Sequence, residues 1–439
     1  MRGILLLFIM LVIIPASFFS PFIGLLSFTA VAYTRPHEWA YVETTQYSLA
    51  IAVAMVAGYL ILELPRRAPR LTHNLIIVLL WLQLSLSTLL AQSAQTAMPK
   101  YLEFSKILLI AVLTTAMVIS EQRVWMFLFV TLGSIGVIIL KSFAGIIFYR
   151  GQVKIFGAGG ATGDNNDFAL MLALTVPLMY YFAQAQARWW LKAGFYTLSL
   201  MTVVTCLFTY SRGGLLGLSA GIFVLLLKSR HKITSFVAVT VITLAIVAVL
   251  PQSLMERFGT IKGAEEHDAS AQQRLRMWKM SLQIIRDHPF VGVGIRNILF
   301  VQGRYVDVPG SEEKLVAHNS YLQIATDAGV PALLLFLALF VISWWRLWRT
   351  RSILRVHAPD SPLIKYAHGM EAGMAGYMVS AFFASRQDLE LLYAVFALAA
   401  SLILIAREYE KEAEIRKHVG RQAELALSQR PAEAALDAA

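Results

Sequence analysis

One histidine and a small set of arginines carry most of the chemistry this sequence offers. His318 stands in Ala317-His318-Asn319-Ser320-Tyr321-Leu322-Gln323, just ahead of a stretch that Asn319 or Ser320 can cap as a helix and Gly329 can end. A helix N-terminus disfavours the imidazolium, and the neutral imidazole is the form a general base needs. The plainer reading of a loop histidine is a solvated side chain. Upstream, Ser270 and Gln273 form a capping-box pattern, and Leu275, Trp278, Leu282 and Ile285 recur as one stripe as far as His288-Pro289. That spacing predicts an amphipathic helix whose polar face carries Arg274, Arg276, Lys279 and Arg286, cations presented to something anionic or simply to water. Gly292-Val293-Gly294 follows no strand and reads as a turn, not a nucleotide loop.

The elements that must position these residues are membrane spans. The chain has 439 residues, 57% of them hydrophobic and 15% charged, with mean hydropathy +0.62. A soluble domain holds roughly 45–50% apolar and 25% charged residues, so a soluble enzyme is excluded. Thirteen apolar runs are visible, from Gly3 to Phe19 at the start to Leu389 to Ala406 near the end. The second, Phe22 to Tyr33, is short and bracketed by Pro21 and Pro36, which leaves the count at twelve or thirteen. The fold class expected is therefore all-α and polytopic. Its parts are an N-terminal bundle over 1–250, one large hydrophilic loop over 251–329, further spans over 330–406, and a tail over 407–439 that begins as a charged helix and runs into disorder. Cys206 is the single cysteine and lies inside an apolar run, so it reads as a packing residue.

Charge fixes the expected orientation. Lys and Arg outnumber Asp and Glu by 38 to 27, a net charge of +11, and many of the cations gather in short loops. Arg66, Arg67 and Arg70, Arg123, Arg188 and Lys192, Lys228 to Lys232, and Arg346 to Arg355 fall on one side under strict alternation, which makes that side cytoplasmic and calls for no nucleic-acid partner. The loop 251–329, the Arg150 to Asp167 segment and the Tyr210-Ser211-Arg212-Gly213-Gly214 turn then lie on the outer side. Basic residues there run against the positive-inside trend and need another reason.

The order of these pieces resembles the O-antigen ligase and O-antigen polymerase superfamily of bacterial membrane glycosyltransferases. The matching segments are Ser211-Arg212-Gly213-Gly214, Arg274 to Trp278 running on to His288-Pro289-Phe290-Val291-Gly292-Val293-Gly294, and Ala317 to Gln323 leading to Ala328-Gly329, with Gly163-Asp164-Asn165-Asn166-Asp167-Phe168-Ala169 upstream. The start, Met1 to Pro36, is similar to ligases associated with O-glycosylation. The resemblance implies transfer of a glycan from undecaprenyl pyrophosphate to a hydroxyl of the lipid A core oligosaccharide, at the periplasmic face of the bacterial inner membrane. It implies His318 as base or acceptor-orienting group, Arg212 and Arg274 on the pyrophosphate, and Arg276 and Arg150, with Lys154, as further anion contacts. Asp164, Asn165 and Asn166 either bind acceptor sugar or turn the chain; Asn319 reads as a helix cap and Trp278 as a membrane anchor.

A pyrophosphate leaving group needs neutralising, and guanidinium forks do this bidentately. The outer carboxylates, Asp164, Asp167, Glu265, Glu266, Asp268, Asp307, Glu312 and Glu313, are scattered in sequence with no Asp-x-Asp pair, so no metal or other cofactor is expected. Within the superfamily, a polymerase extending the lipid-linked glycan and a ligase acting on protein hydroxyls stand as alternatives. A lipid-linked glycan transporter would place ionisable groups near mid-membrane; here they cluster at one face, with Lys106, Lys141 and Glu371 toward span ends. Gly369 and Gly373 make a small-xxx-small contact.

Overall fold

The computed structural model describes residues 2–39, 47–65, 71–157, 159, 163–229, 231–249, 269–305 and 316–436. Arg66, Arg67, Arg70, Arg230 and the loop carboxylates Glu265, Glu266, Asp268, Asp307, Glu312 and Glu313 lie outside the described residues. The described secondary structure is helical, and a helix forms at each of the thirteen apolar runs. In an apolar medium the helix satisfies every backbone N–H and C=O within one segment. Seven of the helices are long and apolar enough to cross a membrane, and three shorter apolar helices accompany them.

In chain order the first helices are α1 (Arg2–Phe19), α2 (Pro21–Thr34), the single-turn α3 (Pro36–Trp39) and α4 (Tyr47–Gly58), which ends in a π-turn over Tyr59–Glu63. Then follow α5 (Leu71–Leu89), α6 (Ala94–Met117), α7 (Glu121–Phe148), α8 (Asn165–Ala185), α9 (Trp189–Leu207), α10 (Arg212–Lys228) and α11 (Lys232–Val249). The amphipathic α12 (Ala269–Asp287), the short α13 (Ile298–Val301), and α14 (Ser320–His357), α15 (Leu363–Ser380) and α16 (Glu390–Leu436) complete the chain. Proline-bracketed Phe22 to Tyr33 thus makes its own helix, which brings the start of α1 to the same end of the bundle as the start of α4, where Leu6, Met10, Val31 and Ile51 pack together. The tail expected to lose its helix keeps it as far as Leu436.

Two ends of the bundle differ in kind. At one, Arg123 donates to the Met117 carbonyl at 2.6 Å and Arg346 to that of His73 at 2.8 Å. The Glu371 carboxylate is fully buried there between Lys228 and Arg351, the latter at 2.7 Å. Glu371 stands midway along α15 rather than toward its end, and those two cations are what make its burial affordable. At the other end, backbone and side chains from α5, α6, α8, α10, α12, α14 and α15 converge, and this is where the residues singled out above lie.

α8 is the hub: 83% of its span is buried, against 17% for α1. It packs on α9, α10 and α15. The α10 start can approach it because Gly213 and Gly214 lack side chains. A Cβ on Gly213 would fall 2.3 Å from the Phe383 Cβ, and one on Gly214 would fall 2.3 Å from the Ala169 Cβ. The two glycines after Arg212 therefore let the start of α10 close on α8 and on the segment after Ser380.

Candidate active site

His318 sits at the junction of α12, α14 and the loop before α8. Its backbone is left-handed, φ +47°, a conformation uncommon for a residue with a side chain and stored where neighbours over-determine it. Those neighbours are specific. The indole N–H of Trp278 donates to the Ala317 carbonyl at 3.1 Å, and the Ala317 N–H donates to Gln323 Oε1 at 3.2 Å. On the other side, the Asn319 carboxamide oxygen accepts from the N–H groups of Tyr321 and Leu322 at 3.0 and 3.1 Å, as a cap should. Trp278, expected as a membrane anchor, is thus turned inward and holds the residue next to the histidine.

Electrostatics at His318 favour the neutral ring. Burial lowers its pKa below the ordinary 6.5, the Arg274 guanidinium lowers it further, and Asp164 works in the opposite direction. The lowering expected from a helix N-terminus comes first from burial. Arg274 and Asp164, far apart in sequence, are both within electrostatic reach of the imidazole.

Asp164 caps α8, accepting from the Asn166 and Asp167 N–H groups at 2.8 and 3.4 Å. Asn165 donates to the Thr209 carbonyl at 2.9 Å, and Asn166 accepts from the Ser211 hydroxyl at 2.8 Å. Asn165 and Asn166 therefore tie the α8 start to the turn that carries Arg212, and their loop-shaping role is occupied by protein partners. Ser211 caps α10 on the Gly214 N–H, which leaves Arg212 in the first turn.

α12 differs from its sequence reading in the face it buries. Met277, Met280 and Ile284 pack against Val293, Ile298 and Val301, whereas Leu275 and Leu282 are exposed at 45% and 58%. Both stripes recur at helical spacing; the methionine stripe wins because Val293, Ile298 and Val301 are folded beneath it. The helix begins at Ala269, ahead of the expected Ser270 cap. At roughly 100° per residue, Arg276 points about 160° away from Arg274, and it is exposed. Arg150 is exposed after α7 with φ +50°, and Lys154 lies over the Phe156 ring at 5.3 Å. Arg276, Arg150 and Lys154 are thus not drawn to His318 as Arg274 is.

The turn at Gly292-Val293-Gly294 docks α12 onto the start of α14. Val293 and Gly294 donate backbone hydrogen bonds to the Thr326 and Asp327 carbonyls at 2.9 and 3.0 Å, and Val330 donates to that of Pro289 at 2.7 Å. Gly292 and Gly329 both have positive φ, and a Cβ on either would strike a backbone oxygen of the other strand of this junction, at 2.5 and 2.4 Å. Gly329 ends the first part of α14, and Pro331 opens the second.

Charged residues that the sequence reading passed over complete the site. The loop between α15 and α16, Ser385-Arg386-Gln387-Asp388-Leu389, folds against the first turns of α14 and α8. Arg386 pairs with Asp167 at 2.7 Å and lies 3.7 Å from Asp388, and Lys100 of α6 pairs with Asp388 at 3.1 Å. The Arg386 N–H donates to Ser320 Oγ at 2.9 Å, two residues from His318. Asp167 and Asp388, on opposite sides of Arg386, raise its pKa against the lowering effect of burial. Burial alone would raise the Asp388 carboxyl, but Lys100 and Arg386 hold it below its ordinary value. Asp327 is buried as well and gathers the Gln323 side chain at 2.9 Å, the Arg296 N–H at 3.1 Å and the Gln387 side chain at 3.3 Å. The four polar residues Ser385 to Asp388 between two apolar runs were the available signal for Arg386 and Asp388. Asp164 and Asp167, scattered in sequence, in fact converge with Asp388 around one arginine.

Comparison with known families bears on this arrangement. A family model described as O-antigen ligase matches residues 197–337, the stretch holding Arg212, Arg274 and His318. Over that stretch, about a third of its length, the chain is similar to the O-antigen ligase family. Its members are glycosyltransferase-like ligases and polymerases. Residues 1–186 match a second model, a family of unknown function, DUF5935. No curated protein matches the chain. The O-antigen ligase domain thus supplies His318 and two arginines, while Lys100, Asp164 and Asp167 come from the region of unknown function and Arg386 and Asp388 from beyond both matches.

Proposed function

We propose that this chain is an O-antigen ligase that moves a glycan from undecaprenyl pyrophosphate to a hydroxyl of the lipid A core, at the periplasmic face of the bacterial inner membrane. The observation that carries the reading is the half-buried, left-handed His318, kept neutral by its partial burial and Arg274 and fixed through Ala317 and Asn319. In the proposed step, the imidazole takes the proton of the acceptor hydroxyl. The acceptor oxygen attacks the anomeric carbon, and the bond from that carbon to the pyrophosphate oxygen breaks with its electron pair. Arg212 and Arg274 neutralise the charge on the departing undecaprenyl pyrophosphate. A single displacement inverts the anomeric configuration. Arginine fills the role that a divalent cation has in other transferases, in keeping with Asp167 and Asp388 being engaged by Arg386 and Lys100.

The test is reconstitution of the purified chain in liposomes with a lipid-linked glycan donor and, separately, lipid A core, free lipid-linked glycan and a serine-containing peptide as acceptors. A lipid A core product of inverted configuration supports the reading. Elongated lipid-linked glycan or glycosylated peptide would make the chain a polymerase or a protein ligase, and a retained anomer would overturn the single displacement.

A further inference from the structure

A cavity of about 380 Å³ opens between α2, α4 and α6, at the same end of the bundle as His318. Its body is apolar, lined by Phe28, Val31, Leu49, Ile107, Ile110 and Ile138. Ala32 and Ala52 keep its walls back where larger side chains would close it. Its lining also carries Arg35, His37, Lys106, Glu103 and Glu390, and Glu103 is paired with Lys100 at 2.7 Å.

The cavity adjoins the site along the chain. Met171, on its wall, lies one helical turn beyond Asp167, and Leu389 follows Asp388 directly. An occupant with its chain in the cavity would therefore have its head beside Arg386 and Lys100. An apolar hole of roughly 150 Å³ takes up benzene, so 380 Å³ accommodates about fifteen carbons, or three isoprene units. A sugar would leave its hydroxyls without partners on the apolar part of these walls.

We propose that this cavity binds the head-proximal isoprene units of a polyprenyl pyrophosphate, and that residues 1–186, matched only to a family of unknown function, are the lipid-binding part of the protein. The inference rests on the reading of the donor as a lipid-linked pyrophosphate and adds where its chain lies. An apolar pocket next to the site suits the chain of an amphiphile whose head lies in the site.

Photolabelling tests this without turnover. A polyprenyl pyrophosphate bearing a diazirine on its first isoprene should label peptides spanning 28–56 and 103–110, and unlabelled polyprenyl pyrophosphate should compete where phosphatidylglycerol does not. Labelling confined to α9 or α11, or equal competition by phosphatidylglycerol, would overturn the proposal. In the transfer assay, Ala52→Trp fills the cavity and should lower the preference for a long-chain over a one-isoprene donor, as the ratio of kcat/KM values, by about ten-fold or more. Leu200→Trp, on the outward face of α9, should keep the wild-type ratio. An unchanged ratio in a folded Ala52→Trp protein also sinks the inference. Absence of transfer from every donor by the wild type would instead count against the ligase reading, and the photolabelling result would still decide the cavity.

Discussion

Arg386 is the residue whose removal the structure makes most calculable. Its side chain is 12% exposed and shares two carboxylates, Asp167 at 2.7 Å and Asp388 at 3.7 Å, while Lys100 stands 3.1 Å from Asp388. Arg386→Met keeps the bulk and the backbone hydrogen bond to Ser320 but deletes the charge. Asp388 retains Lys100; Asp167 loses its cation. Breaking a buried pair from one side costs roughly 3–5 kcal/mol, and because half of the pairing survives at Asp388 the expected loss is near the lower figure, about 3 kcal/mol. Adding Asp167→Asn neutralises the orphaned carboxylate, so the double variant should recover at least about 1.5 kcal/mol of that loss, a coupling typical of directly contacting residues. The assay is denaturant unfolding in detergent micelles, followed by tryptophan fluorescence, across the four members of the cycle. A loss below about 1 kcal/mol in Arg386→Met, or strictly additive effects, would show that the two charges are not coupled as the geometry requires.

Other consequences concern the chemistry. His318→Ala should reduce turnover by roughly 10²–10⁴-fold with donor binding little changed; a variant that keeps half the wild-type rate would remove the base. Because burial and Arg274 lower the His318 pKa, the neutral base predominates at pH 7 and the acid limb of kcat/KM should lie below 6.5. Arg274→Met should move that limb upward and Asp164→Asn downward, and shifts of opposite sign would refute the assignment. Arg212→Lys and Arg274→Lys, which keep charge but lose the planar fork, should each cost roughly ten-fold to a hundred-fold in kcat/KM, equivalent to about 1.5–3 kcal/mol. Transfer should persist in excess EDTA, and a loss reversed by magnesium or manganese would show that a cation is required. Cysteines placed at Gln283 and Glu414, both exposed, should react with an impermeant maleimide from the periplasmic and the cytoplasmic side respectively; the native Cys206 is buried and silent. The reverse pattern would invert the topology.

Hydropathy and local signals determined a good deal of this protein. Thirteen apolar runs became helices because a chain that cannot hydrogen-bond to water must bond to itself, and that requirement is local. The Asn319 cap, the stop at Gly329 and the restart at Pro331 were legible for the same reason, since each depends on residues only a few positions apart. His318 and Arg274 stood out because polar residues flanked recognisable helix boundaries. What the tertiary structure alone decided was which polar groups meet. Nothing local tells Arg386 that Asp167, more than two hundred residues earlier in the chain, will be 2.7 Å away, or that Lys100 will share Asp388 with it. The choice between the two stripes of α12 was likewise open until Val293, Ile298 and Val301 folded beneath Met277, Met280 and Ile284. Burial supplies the physical reason in both cases. It turns a distant charge into an obligatory partner and one of two equivalent apolar faces into a core, and it is a property of the assembled bundle.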